Sequence, residues 1–214
     1  MEYLNKVRKG VREAIGATPA VRAVLDGNAS PAVYRHYLSN VWHYAQHSGT
    51  VIAIAGARCV LTHPPLAAYL LHHAQEELGH DVWALQDLEV MGVEEADVRR
   101  SRPLPACAAM IGYEYYLAAH ANPVALFGWL FVLEAMGDDL GHVVARRVRE
   151  ALNVDEGVKF LAGHGEADEE HTREIIEQIE NNIGPADMAD VHHVANVVGA
   201  LYVRLFQEIG EAAA

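Results

Sequence analysis

Length, charge and cysteine content narrow the classes of protein to which the chain can belong. Its 214 residues, 51% of them hydrophobic, suffice for a single domain spanning residues 1–214 with a sizeable core. The formal net charge of -13 argues against nucleic acid and anionic membrane surfaces as partners. Cys59 and Cys107 lie in apolar segments, and no secretory segment or run of about 18 apolar residues occurs. We therefore expect a cytoplasmic protein without disulfides.

Apolar residues recur at helical spacing along most of the chain, and no strand-like alternation interrupts them. The predicted helices cover residues 3–15, 31–58, 66–91, 105–120, 124–136 continuing into 138–153, 158–182 and 186–209. Residues 92–105 are predicted to form a connecting loop. The expected fold class is all-α, a bundle of about seven helices.

The third predicted helix contains the segment from His72 to His80. Glu77 and His80 are three residues apart and therefore share a helix face, and Glu76 shares that face nearly as well. Either glutamate can join His80 on a metal ion, and the ExxH spacing of helical di-iron sites favours Glu77. A surface pair of glutamate and histidine is the alternative.

Glu134 is the one acidic residue in the most apolar segment, Val124 to Met136. A buried carboxylate is costly unless it is neutralised, paired or bound to a metal. We therefore predict a functional role for Glu134, against the alternative of an exposed position or an arginine partner. Gly137 and Gly141 follow, so the helix can bend or another group can approach its backbone.

The segment from Gly163 to His171 carries two histidines and an aspartate at helical spacing. At about 100° per residue, His164, Asp168 and His171 fall on one face. Imidazole and carboxylate are ligand types that suit iron and manganese. A solvated acidic face is the alternative. Because Gly163 and Gly165 weaken a helix, we expect an irregular first turn without metal.

These three segments together offer three carboxylates and three imidazoles, enough to hold two divalent ions. The predicted ligands are Glu77, His80, Glu134, His164, Asp168 and His171, with Glu77 and Glu134 placed to bridge and to act in catalysis. The set has too many ligands, and no suitable cysteine, for a structural zinc site.

The ordered set of ligands resembles that of the haem-oxygenase-like di-iron oxidases and oxygenases. This family shares its fold with haem oxygenase, thiaminase II and pyrroloquinoline-quinone synthase, and the resemblance extends from the Leu25-Asp26-Gly27 turn through His171. Its spacing is most similar to that of an alkene-forming fatty-acid decarboxylase, although other members have a wider first pair, which keeps Glu76 under consideration.

The resemblance implies two Fe(II) ions, or manganese, that use dioxygen to oxidise a small organic substrate. Amino acids, amines and fatty acids are the expected substrates, through N-oxygenation or oxidative C-C cleavage. The segment from Arg8 to Thr18 lacks the axial histidine of haem oxygenase, so haem is not expected. We also expect a homodimer.

The substrate pocket is less well defined by the sequence than the metal site. Its candidate wall residues are Tyr37, Trp42, Tyr113 and Tyr116, and the candidate anchors for a carboxylate are Arg58 and Arg146. Two other functions stay open: a ferritin-like iron-binding protein and a metal-free pocket protein similar to thiaminase II or pyrroloquinoline-quinone synthase.

Overall fold

The computed structural model describes residues 1–213, apart from the side chains of residues 166–168. Within this part of the chain there are ten α-helices and a short 3-10 turn, Pro123–Ala125, and no strand. The helices are α1 Glu2–Ala17, α2 Pro19–Leu25, α3 Pro31–Cys59, α4 Pro64–Glu76, α5 His80–Val90, α6 Glu95–Arg100, α7 Pro105–His120, α8 Leu126–Leu152, α9 Lys159–Asn182 and α10 Pro185–Ala212. The all-α prediction is confirmed, and the number of helices is ten rather than about seven.

Two of the additional helices are short segments that the sequence pattern did not reveal. Helix α2 follows Thr18, whose hydroxyl accepts a hydrogen bond from the N-H of Val21, and it has a proline at its first position. Helix α6 lies inside the predicted loop 92–105, where acidic residues at its start and Arg99 and Arg100 at its end complement the helix dipole.

The predicted helix 66–91 is divided into α4 and α5 by a break at Gly79. Gly79 has a φ of 94°, a left-handed conformation that glycine adopts without a steric penalty. The break leaves Glu77 beside the end of α4 and His80 at the first position of α5. It therefore sets the direction of both predicted ligands.

Helix α8 runs through the centre of the bundle between α9 and α10. A Cβ atom on Gly141 would lie 2.9 Å from the carbonyl oxygen of Leu161 and 3.1 Å from the Cα of Gly165. A Cβ atom on Gly128 would collide with the carbonyl oxygen of Val191. The glycines thus permit close approach of backbones, one of the two roles expected for Gly141.

Helix α9 is continuous through Gly163 and Gly165, so the expected irregular first turn is not observed. The physical reason is packing. Gly163 lies against Trp83 and Gly165 lies against His142, and these contacts stabilise the helix at positions where glycine would otherwise weaken it. Among the described helices, none is long and apolar enough to cross a membrane.

Candidate metal centre

Three polar side chains at the end of α4 and the start of α5 point into the interior. His73 is completely buried, and Glu77 and His80 are nearly so. The Nδ1 atom of His80 lies 3.0 Å from Oε1 of Glu77. Neither atom has a hydrogen-bond partner among the described residues, and the same holds for both ring nitrogens of His73. Buried polar atoms without a hydrogen bond are costly in a folded protein, so their presence here calls for an explanation such as a bound ion.

Glu134 projects from α8 toward the imidazoles of α4 and α9. Its Oε2 atom accepts a hydrogen bond from Nδ1 of His171 at 3.3 Å, and its Oε1 atom lies 3.4 Å from Nε2 of His73. Burial raises the pKa of Glu134, but its interactions with His171 and His73 outweigh burial and hold the pKa below its ordinary value. The carboxylate is therefore ionised and able to bind a cation.

His171 is the protonated partner of this carboxylate when no metal is bound. Burial lowers its pKa, but the hydrogen bond with Glu134 outweighs burial and raises the pKa to about 8. A metal ion at this position would replace that proton, as metal binding to imidazole generally does.

His164 is presented by α9 as a neutral imidazole. Burial is the main cause of its lowered pKa. Its Nδ1 atom donates a hydrogen bond to the carbonyl oxygen of Phe160 at 3.0 Å, because a carbonyl can only accept. Nε2 therefore carries the free lone pair, the arrangement that commonly orients a metal-binding histidine.

Asp87 connects α5 to the start of α9. Its carboxylate accepts hydrogen bonds from the backbone N-H groups of Lys159 and Phe160, each at 2.8 Å. These N-H groups belong to the first turn of α9, which has no intrahelical partners for them. Asp87 thereby fixes the position of His164 relative to His80 on its own helix.

The described residues form two groups of donors that share Glu77. Site A consists of His73, Glu77, Glu134 and His171, and site B consists of Glu77, His80 and His164. Within each group, one donor atom from every residue lies within 4.8 Å of the others. Donors bound at about 2.1 Å from one ion are separated by at most about 4.2 Å, so small side-chain movements suffice to bind an ion. Each group could therefore hold a divalent ion. Of the two residues predicted to bridge, Glu77 belongs to both groups and Glu134 to site A alone.

Five of the six predicted ligands thus lie in these two sites. The sixth, Asp168, has its side chain outside the described residues. Glu76, the alternative to Glu77, is 38% exposed, and its Oε1 atom lies 3.4 Å from Nε2 of His72. Its Oε2 atom lies 3.7 Å from Nδ1 of His73 and 3.8 Å from Nε2 of His171, so Glu76 borders site A without belonging to either group. The ligand set itself stays a prediction.

His73 was not predicted as a ligand, although the sequence contained a signal for it. It lies four residues before Glu77 and seven before His80, a spacing that repeats on one helix face. The ring of Tyr69 stacks on His73 with centroids 5.5 Å apart and orients it. The adjacent, exposed His72 has similar sequence surroundings, so spacing alone did not select His73.

An apolar cavity of about 120 Å³ adjoins the two sites. Glu77, Glu134 and His164 contribute to its wall, and aliphatic and aromatic residues from α1, α2, α3, α8, α9 and α10 form the rest. Of the four aromatic residues predicted for the wall, only Tyr37 is among its lining residues; Trp42 packs under Arg99 instead.

Neither predicted anchor lines the cavity. Arg58 donates hydrogen bonds to the carbonyl oxygens of Leu117, Ala118 and Ala121 at the end of α7, and Arg146 is exposed. The sequence could not distinguish an arginine that caps a helix from one that binds a substrate.

A family model described as iron-containing redox enzymes matches residues 35–203. The chain belongs to this family. The matched range includes all six residues of sites A and B. No curated protein sequence matches the chain.

Solved structures confirm the haem-oxygenase-like fold of this member of the iron-containing redox enzyme family. A domain of unknown function with a haem oxygenase-like fold from Shewanella denitrificans is 28% identical, with a TM-score of 0.87 over 97% of this chain and 90% of that chain. A TenA homologue from Pseudomonas syringae is 17% identical, with a TM-score of 0.77 over 97% and 90% of the two chains. Haem oxygenase-1 from the cyanobacterium Synechocystis, in complex with haem, is 17% identical, with a TM-score of 0.72 over 99% and 94%. The last two comparisons show the fold alone.

Proposed function

We propose that the protein is a non-haem di-iron oxidase or oxygenase that uses dioxygen to oxidise a small organic substrate. The observation that carries this proposal is the pair of donor groups joined by Glu77. Four of their buried atoms, both ring nitrogens of His73, Oε1 of Glu77 and Nδ1 of His80, have no hydrogen-bond partner among the described residues. Membership of an iron-containing redox family supports the same assignment.

The proposed ligands divide between two ions. His73, Glu134 and His171 would hold one ion, His80 and His164 would hold the other, and Glu77 could contribute to both. Asp168 stays a predicted ligand. When bound, two Fe(II) ions supply the redox chemistry that activates dioxygen, and manganese is the alternative metal. Three carboxylates offset three of the four positive charges.

The wall of the cavity supports an apolar substrate. Among its described lining residues there is no lysine or arginine, and the only carboxylates are those of Glu77 and Glu134. A chain such as that of a fatty acid would remove aliphatic surface from water there, with its polar end toward the metal centre. This arrangement favours a fatty acid or an apolar amine over a free amino acid.

The region that corresponds to the haem-binding helix is engaged in ion pairs. Arg8 donates to Asp138 at 2.7 Å and to Asp139 at 2.6 Å, and Arg12 lies 3.6 Å from Asp139. Arginine at these positions offers no lone pair to a haem iron. These contacts support the non-haem proposal.

Anaerobic titration with Fe(II) tests the proposal. The wild-type protein is expected to bind two equivalents and to develop an optical band on exposure to dioxygen. Replacing Glu134 by alanine removes a donor of site A and leaves buried imidazoles unpaired. This variant should keep its helical content and lose iron-dependent oxidation.

The matched control is Glu150→Ala, an exposed acid on the same helix that pairs with Arg147. It should bind iron as the wild type does. Full binding and turnover by Glu134→Ala would show that the assignment is wrong. Absence of binding by the wild type would support the metal-free pocket protein, and uptake of many equivalents would support ferritin-like storage.

A further inference from the structure

Trp83 lies between the candidate metal centre and a surface cleft. It is one turn after His80 on α5, and its indole stacks on the His80 ring with centroids 4.4 Å apart. It also meets the ring of His164 edge-on at 5.5 Å. Trp83 thus contacts both imidazoles of site B.

The opposite side of Trp83 is open to the surface. The side chain is partly exposed and lines a cleft of about 430 Å³ that adjoins neither His80 nor His164 directly. The Nζ atom of Lys159 lies 5.6 Å from the centroid of the indole. Arg149 also lines the cleft, together with the acids Asp155 and Glu156.

The position of the indole depends on Gly163. A Cβ atom there would lie 2.7 Å from Cζ3 of Trp83 and within 3.3 Å of two other ring atoms. Gly163 therefore allows the large ring to lie flat between α5 and α9. Tryptophan is among the most easily oxidised side chains, so an indole stacked on a candidate ligand has a chemical consequence.

We propose that Trp83 conducts electrons between the cleft and the metal centre. In a turnover without substrate, the indole gives one electron to the oxidised centre and releases its N-H proton to solvent. A one-electron reductant of the enediol class, such as ascorbate, then returns one electron and one proton to the indole in the cleft. The reductant is oxidised and the centre is reduced by one electron. Lys159 disfavours a positive charge on the ring, which is why the proton leaves with the electron.

This inference rests on the proposed function and is tested on the iron-loaded protein under air without substrate. The variant Trp83→Phe keeps an aromatic ring on His80 but is far harder to oxidise. It should bind iron with wild-type stoichiometry and oxidise ascorbate several-fold more slowly. Trp83→Tyr, which is oxidisable, should restore part of the rate. Trp42→Phe is the control, since Trp42 packs with His43 and Arg99.

Peptide mass spectrometry provides a second measurement that does not depend on turnover rate. Without ascorbate, oxygenated products should accumulate at residue 83 of the wild type and of Trp42→Phe, and ascorbate should suppress them. Equal ascorbate oxidation by wild type and Trp83→Phe at equal iron content, with residue 83 unmodified, would overturn this inference alone. Absence of iron binding by the wild type would overturn the proposed function and this inference with it.

Discussion

His72 and His73 are neighbours in the sequence with very different surroundings in the fold. The side chain of His72 is 67% exposed and that of His73 is 0% exposed. Glu134 was easier to predict, because a single acid inside an apolar segment is costly wherever the segment is buried. The sequence therefore identified a residue whose burial was unusual for its type, and it could not identify which of two adjacent histidines faced inward.

Replacing His73 by alanine should weaken iron binding at site A. Its imidazole lies 3.4 Å from Oε1 of Glu134 and has no hydrogen-bond partner among the described residues. Loss of an outer partner of a metal ligand typically costs roughly 10–100-fold in affinity, and loss of a ligand should cost at least as much. Metal analysis after equilibrium dialysis measures the effect.

His72→Ala is the matched control, because it removes the adjacent and exposed imidazole. It should retain the iron content of the wild type. If both variants lose iron equally, or neither does, His73 is not a ligand of site A.

At the scale of elements, the centre of the bundle depends on close contacts between helices. The sequence predicted that Gly141 could admit another backbone, and α9 occupies that position through Gly165. The break between α4 and α5 was not predicted, because apolar periodicity continues across Gly79. The positive φ of Gly79 is a property of the folded backbone that helical spacing does not record.

Substituting alanine for Gly141 should destabilise the protein. At an exposed position in a helix, replacing glycine by alanine raises the free energy of unfolding by about 1 kcal/mol. Here the new Cβ would lie 2.9 Å from the Leu161 carbonyl oxygen, and backbone atoms cannot move aside as a side chain can. Overpacking of this kind costs roughly 1–3 kcal/mol, so the net effect should be a loss. Urea denaturation measures the free energy of unfolding.

Gly112→Ala is the corresponding control in α7, where a Cβ atom would meet nothing within 4 Å. It should be neutral or stabilising. A Gly141→Ala variant as stable as Gly112→Ala would contradict the close packing of α8 on α9.

At the scale of the whole molecule, the sequence predicted the fold class well and the assembly of the site only in part. Helical periodicity and the resemblance to a family of known fold were sufficient for an all-α bundle. The donor groups, however, come from α4, α5, α8 and α9, and their contacts join residues far apart in the chain. The hydrogen bond from Phe160 to Asp87 is one such contact, and no local pattern indicated it.

The stability of the bundle should depend on pH through Glu114. This side chain is fully buried on α7, and burial raises its pKa well above the ordinary value. The nearby Trp129 indole lowers the pKa of Glu114 and so opposes this shift, but it forms no hydrogen bond of standard geometry with the Glu114 carboxyl group. Above about pH 4.3 the unfolded chain releases this proton while the folded protein keeps it, so stability falls as pH rises toward the raised pKa.

Glu114→Gln should remove this pH dependence. The free energy of unfolding of the variant, minus that of the wild type, should increase with pH above about 4.3 by up to about 1.4 kcal/mol per pH unit. Urea denaturation of both proteins between pH 5 and 8, in the absence of metal, measures the difference. Glu150→Gln, an exposed substitution, should show no such trend, and a constant difference for Glu114→Gln would refute the assignment.

The close contacts of α8 imply that the two carboxylates of site A, Glu134 and Glu77, differ in their freedom to move. Glu134 lies between Gly128 and Gly141, where α8 packs closely against the backbones of α10 and α9. Glu77 lies beside the break at Gly79, where the chain is joined to its neighbours by turn hydrogen bonds rather than by a continuous helix. With metal bound, changes in coordination would therefore be expected at Glu77, and Glu134 would keep its position.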